Sequence, residues 1–152
     1  MKKFRLFSVL IMAAALSGTA FTFFQSNSLK PRIIVPSEMK WVVNPQQPGG
    51  MQTMILAGDP AKEGLYTMRI KVPAGMKLFP HFHPDNRNAV ILSGTFYYSY
   101  GEQFDESKLK KLPPGTFFTE PSRQPHFAWA KSGEVIIQVT GIGPSGTTEL
   151  PY

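Results

Sequence analysis

From Met51 onward the chain is a succession of short apolar runs cut by glycine and proline. Met51 to Leu56, Tyr66 to Val72, Ala89 to Leu92, Thr95 to Tyr100, Gly115 to Thr119, His126 to Ala130 and Val135 to Thr140 have the β-branched and aromatic composition of strands. Turn signals separate them, among them Gly58-Asp59-Pro60, Pro73-Ala74-Gly75, Ser93-Gly94, Pro113-Pro114-Gly115 and Ser132-Gly133. In the last run Gln138 lies between Ile137 and Val139, so a period of 2 turns it outward while its neighbours face the core. One segment reads as helical: Asp105 caps one or two turns running through Glu106, Ser107, Lys108 and Leu109. Evenly spaced short strands with turn punctuation predict an all-β domain over residues 49–152, closed into a barrel or folded as two sheets.

The first 48 residues follow other patterns. Lys2, Lys3 and Arg5 precede an apolar stretch from Leu6 to Leu16, and Gly18-Thr19-Ala20 places small residues before a cleavage point after Ala20. That is the layout of a signal peptide over residues 1–20, and it predicts a periplasmic or secreted protein with no stable membrane insertion once cleaved. Phe21, Phe23 and Phe24 extend the apolar run toward the ~20 residues of a membrane anchor, but Ser17, Thr19 and Thr22 interrupt it. Residues 21–48 read as an extended arm, rich in Pro, Ser and Asn from Gln25 onward. It is expected to add a strand to a sheet edge with Trp41 as its anchor.

Charge and cysteine content narrow the function classes. Three of the six net positive charges lie in the candidate signal peptide, leaving three spread over the rest of the chain. That is too weak and too scattered for a nucleic-acid partner. The chain has no cysteine, so thiolate ligands, cysteine nucleophiles and disulfides are excluded, and the domain stands on its apolar core alone.

The candidate chemistry sits in the three histidines of the chain. His81 and His83 are two apart, so on a strand both imidazoles point to one face; His126 comes from a distant strand. Three neutral imidazoles suit a divalent transition ion such as Zn, Fe, Ni, Mn or Cu. Pro80, Pro84 and Pro125 flank them, at positions where a strand starts or bulges. Gly75 and Gly94 are expected to bracket a hairpin whose first strand carries His81 and His83.

The two histidine segments resemble the paired motifs of the cupin superfamily. The first motif runs Gly, five residues, His-x-His, three or four residues, Glu, six residues, Gly. Here Gly75, His81, His83 and Gly94 match, and Arg87 stands in the Glu position. The second runs Gly, five residues, Pro-x-Gly, two residues, His, three residues, Asn. Here Gly115, Pro121 and His126 match, with Arg123 in the Gly position and Ala130 in the Asn position. The resemblance covers about Gln52 to Gly146 and implies a single jelly-roll barrel, commonly dimeric, with a metal on His81, His83 and His126.

The departure at Arg87 sets the alternatives. A guanidinium beside a dication is repulsive. Arg87 therefore turns outward and pairs with Asp85 or Glu102, or it meets an anionic ligand, or metal affinity suffers. Glu120 adjoins the turn at Pro121 and is expected to be solvated rather than to replace the missing carboxylate. Arg87, Tyr98 and Phe117 are the candidate ligand-binding residues, with Tyr98 and Phe117 sharing the interior of the histidines. The favoured function is an exported cupin holding a transition metal, with Lewis-acid or oxygenase chemistry on a small organic molecule. The alternatives are a metal-free module binding an anionic or sugar-like ligand, and an interaction protein that swaps its arm with a second copy as a homodimer.

Overall fold

Side-chain alternation along the longest strands sets the layers of this molecule. The computed structural model describes residues 31–43 and 49–151; the candidate signal peptide, its cleavage point and residues 21–30 and 44–48 of the arm lie outside them. The described strands are β1 (Val42–Val43), β2 (Gln52–Ala57), β3 (Gly64–Val72), β4 (Lys77–Phe82), β5 (Arg87–Ser93), β6 (Phe96–Tyr100), β7 (Lys110–Leu112), β8 (Phe117–Glu120), β9 (His126–Trp129), β10 (Val135–Gly143) and β11 (Thr148–Glu149). They form two antiparallel sheets, ordered β1-β2-β3-β10-β5-β8 and β11-β4-β9-β6-β7. On β10 the buried positions are Val135, Ile137, Val139, Gly141 and Gly143, a strict period of 2. Gln138 faces away from the core and pairs with Arg69 of β3, as alternation predicts. The inward faces of both sheets meet in one core, with Ile91, Phe96, Leu112, Ala128 and Val139 among its members. The fold is the all-β double sheet expected from the strand spacing.

Asp105 caps a single 3-10 turn over Glu106–Lys108, accepting a hydrogen bond from the Ser107 N–H. The arm adds β1 to the edge of its own sheet, where Val42 pairs with Thr53. The Lys71 ammonium sits 4.6 Å over the Trp41 ring, so Trp41 anchors the arm to the outer face of β3.

The expected hairpin between Gly75 and Gly94 is corrected by the topology. β4 and β5 belong to different sheets, so the chain crosses between sheets after His83 and crosses back at Gly94. Side-chain hydrogen bonds hold the first crossing: Asn86 accepts from the Ser122 N–H, and the Ser122 hydroxyl donates to the Pro84 carbonyl. The second passes so close to β10 that a Cβ on Gly94 would lie 2.2 Å from the Glu134 carbonyl oxygen, at a φ of +76°. The two crossings put the first histidine segment at the mouth between the sheets instead of on one surface.

Candidate metal centre

Two cross-strand pairs, one from each sheet, face each other at this mouth. In the second sheet His81 of β4 lies opposite His126 of β9. In the first, Arg87 of β5 lies opposite Glu120 of β8. His83 completes the group from the crossing after β4, where its carbonyl accepts the Arg123 N–H and ties the two motifs together. Cross-strand partners have Cβ atoms about 5 Å apart, so register alone brings each pair into contact. The imidazole centroids lie 4.4 to 5.1 Å apart, and one ligand atom from each ring falls within 4.8 Å of the others.

Backbone carbonyls fix the tautomer of all three rings. His81 Nδ1 lies 2.7 Å from the Phe79 oxygen, His83 Nδ1 2.6 Å from the Gly146 oxygen and His126 Nδ1 3.0 Å from the Gln124 oxygen. A carbonyl only accepts, so each Nδ1 carries the proton and each Nε2 offers a lone pair. Such outer contacts orient metal-ligating histidines. Burial keeps the rings neutral. It pushes His83 down to about 3, with Arg87 adding to the effect, pushes His126 down to about 4, and lowers His81. The Nε2 atoms of His83 and His126 are buried and make no hydrogen bond.

Sequence reasoning misplaced Glu120. The structure buries it at 6% exposure instead of leaving it in solvent. Its Oε1 lies 3.6 Å from His126 Nε2 and its Oε2 3.8 Å from His83 Nε2. Burial raises its carboxyl, but the Arg87 guanidinium outweighs this and holds it below the usual range. The carboxylate is thus ionised beside neutral rings, so these two contacts are not ion pairs. Arg87 is corrected as well. It neither turns outward nor meets Asp85 or Glu102; it is 7% exposed and donates through Nε and Nη2 to Glu120 Oε2. Asp85 instead accepts a 2.6 Å hydrogen bond from the Tyr66 hydroxyl. One signal could have found the Arg87–Glu120 pair. A buried arginine needs a carboxylate, and Glu120 is the only acid between Glu106 and Glu134.

The candidate ligand-binding residues divide. Tyr98 faces the interior, its ring stacked on His126 with centroids 5.4 Å apart, and its buried hydroxyl lacks a well-formed hydrogen bond. Desolvation, with the nearby Glu120 charge, raises its pKa, so the phenol stays protonated. Phe117 is corrected: it is 60% exposed on the outer face of β8. The register differs by one residue, and Phe118 takes the interior place, 4.7 Å from the Tyr98 ring. The histidines, Arg87, Glu120 and Tyr98 line a cavity of about 100 Å³ whose deeper walls are apolar, including Val72, Phe96 and Val139. It adjoins a wider cleft at Thr53, Met68, Arg87 and Thr147.

Three comparisons bear on this arrangement. The family described as the ChrR cupin-like domain matches residues 30–144. No curated protein matches the chain. Among solved structures, the polyketide cyclase RemF from Streptomyces resistomycificus is 15% identical with a TM-score of 0.66, over 81% of this chain and 87% of that one. The DMSP lyase DddQ from Ruegeria pomeroyi DSS-3 is 18% identical with a TM-score of 0.61, over 84% of each chain. KdgF from Halomonas sp. is 22% identical with a TM-score of 0.56, over 75% of this chain and 96% of that one. At these identities the likeness is one of fold.

Proposed function

The chain belongs to the family of ChrR cupin-like domains, and on that footing we propose that it is a metal-binding cupin acting on a small organic molecule, its ion held by His81, His83 and His126. The observation that carries this reading is the shared orientation of the three rings. Each Nδ1–H is spent on a backbone carbonyl, and the Nε2 lone pairs converge with no proton to share. The protein supplies no partner to the buried Nε2 atoms of His83 and His126, where an unmet polar atom costs about 1–3 kcal/mol, and an ion bound between the rings meets that need. A divalent ion in this position supplies Lewis acidity toward a bound oxygen or water.

The chain's own groups favour a small, largely apolar ligand. The cavity is small, about 100 Å³. Val72, Phe96 and Val139 contribute apolar wall, and the Tyr98 hydroxyl offers a proton to an acceptor beside His126. The fold is shared with a polyketide cyclase and a DMSP lyase, which is consistent with small-molecule chemistry. Of the two arginines expected to anchor the metal-free, anion-binding alternative, Arg87 already has a buried carboxylate, and Arg123 is exposed on the turn after Pro121.

Elemental analysis of protein purified without a metal-affinity tag tests the reading. The expected result is a stoichiometric transition metal whose affinity falls by about 100-fold or more in His126→Ala. Protein that carries no metal, and whose melting temperature is unmoved by Zn, Fe, Ni or Mn, overturns it.

A further inference from the structure

We propose that Glu120 is the carboxylate ligand of the centre and that Arg87 is the residue that positions it, the two having exchanged charge across the β5–β8 ladder. The inference rests on the metal reading above and adds a fourth ligand to it.

The argument starts from an electrostatic conflict. His83 Nε2 and His126 Nε2 are lone-pair acceptors, because their protons sit on Nδ1. Both are buried, and both face the carboxylate of Glu120 at 3.8 and 3.6 Å. Those distances are too long for hydrogen bonds. Three acceptors therefore converge with no hydrogen supplied among them by the protein, an arrangement that a cation satisfies. Arg87 does not meet that need. It donates to Oε2 from the β5 side, which leaves Oε1 as the oxygen nearer His126.

Spacing agrees with shared coordination. Two donors of a four-coordinate ion, with bonds of ~2.0–2.1 Å, lie about 3.4 Å apart. The two Glu120 contacts, made by different oxygens to the His126 and His83 rings, are close to this value before any adjustment to an ion, so the spacing agrees with coordination shared with those two rings.

The pairing also resolves the cost of an arginine in this site. Residue 87 lies opposite residue 120, and both face inward. A carboxylate moved from one to the other stays in the same layer of the barrel. The guanidinium left at 87 then holds one carboxylate oxygen instead of repelling the ion directly. Ligating carboxylates are commonly hydrogen-bonded from outside in this way.

Zn²⁺ affinity, measured by competition with a chromophoric chelator, tests the inference without reference to activity. Glu120→Gln alone strands a buried guanidinium and risks unfolding, so the decisive variants keep charge balanced. Arg87→Gln with Glu120→Gln is expected to fold, by circular dichroism, and to bind Zn²⁺ about tenfold or more weaker than the native protein. Arg87→Glu with Glu120→Arg returns the carboxylate to the opposite strand and is expected to recover affinity to within about threefold of native. A purely structural ion pair predicts something else: the double amide binds Zn²⁺ as tightly as native protein, and that result overturns the inference while the three-histidine reading stands. Equal weakening in the amide and exchanged pairs overturns the positional exchange. Native protein that binds none of Zn²⁺, Fe²⁺, Ni²⁺ and Mn²⁺ overturns both readings.

Discussion

Arg123 holds a backbone conformation that its motif position reserves for glycine. Its φ is +58°, the only positive value at a non-glycine among the described residues. An L side chain there costs roughly 1–2 kcal/mol, part of which glycine returns through its greater freedom when unfolded. The turn keeps this conformation because the Arg123 N–H donates to the His83 carbonyl at 2.8 Å and so sets one histidine against the other segment. Arg123→Gly is therefore expected to stabilise the fold by about 0.5–1 kcal/mol with metal affinity unchanged. An equal or lower melting temperature would show that the turn is not strained. At this scale the sequence was legible in its histidines, because spacing and motif both pointed to them. It was misleading at Arg87 and Glu120. Each looked like an ordinary charged residue, and only their opposition across a ladder makes them one buried unit.

At the scale of the element, one residue of register decides what β8 contributes. Phe118 and Glu120 point inward, Phe117 and Thr119 outward. Composition gave the strand but not its phase, because two adjacent phenylalanines carry no alternation. Phe118→Ala is expected to cost about 2–3 kcal/mol through the cavity it leaves beside Tyr98. Phe117→Ala is expected to change stability by no more than about 0.5 kcal/mol. Chemical denaturation of both variants checks the pair, and equal costs would contradict the register. The strand carrying His81 shows the same limit. Nothing along the chain signals that β4 and β5 part into different sheets, since a turn between two strands reads alike whether they pair or separate.

The whole molecule carries its centre at a cost that pH exposes. His83 and His126 are held neutral by burial, with folded pKa values of about 3 and 4 against about 6.5 in an unfolded chain. Below 6.5 the unfolded chain of metal-free protein takes up protons that the folded one refuses, so stability falls as pH falls. The loss begins near pH 6.5, continues to about pH 4 as His126 begins to protonate in the folded state, and ends near pH 3. The depressed carboxyl of Glu120 acts in the same direction at the acid end. The metal-free protein is expected to lose several kcal/mol between pH 7 and pH 4. Melting curves of chelator-treated protein across this range check it, and a flat profile would mean that the rings are not desolvated as described.

The main strand runs, but not the short strands Lys110–Leu112 and Thr148–Glu149, follow from the sequence by itself, as do the short helical turn after Asp105, the all-β class and the identity of the three histidines. They depend on local composition, on period and on spacing, all of which are written along the chain. Which strands pair, which face of β8 turns inward, and that Arg87 meets Glu120 at the mouth were decided by tertiary structure. Those facts depend on register between segments 33 residues apart, and no local pattern encodes a partner at that distance. The carboxylate missing from the first motif therefore came to light only when β8 was laid beside β5.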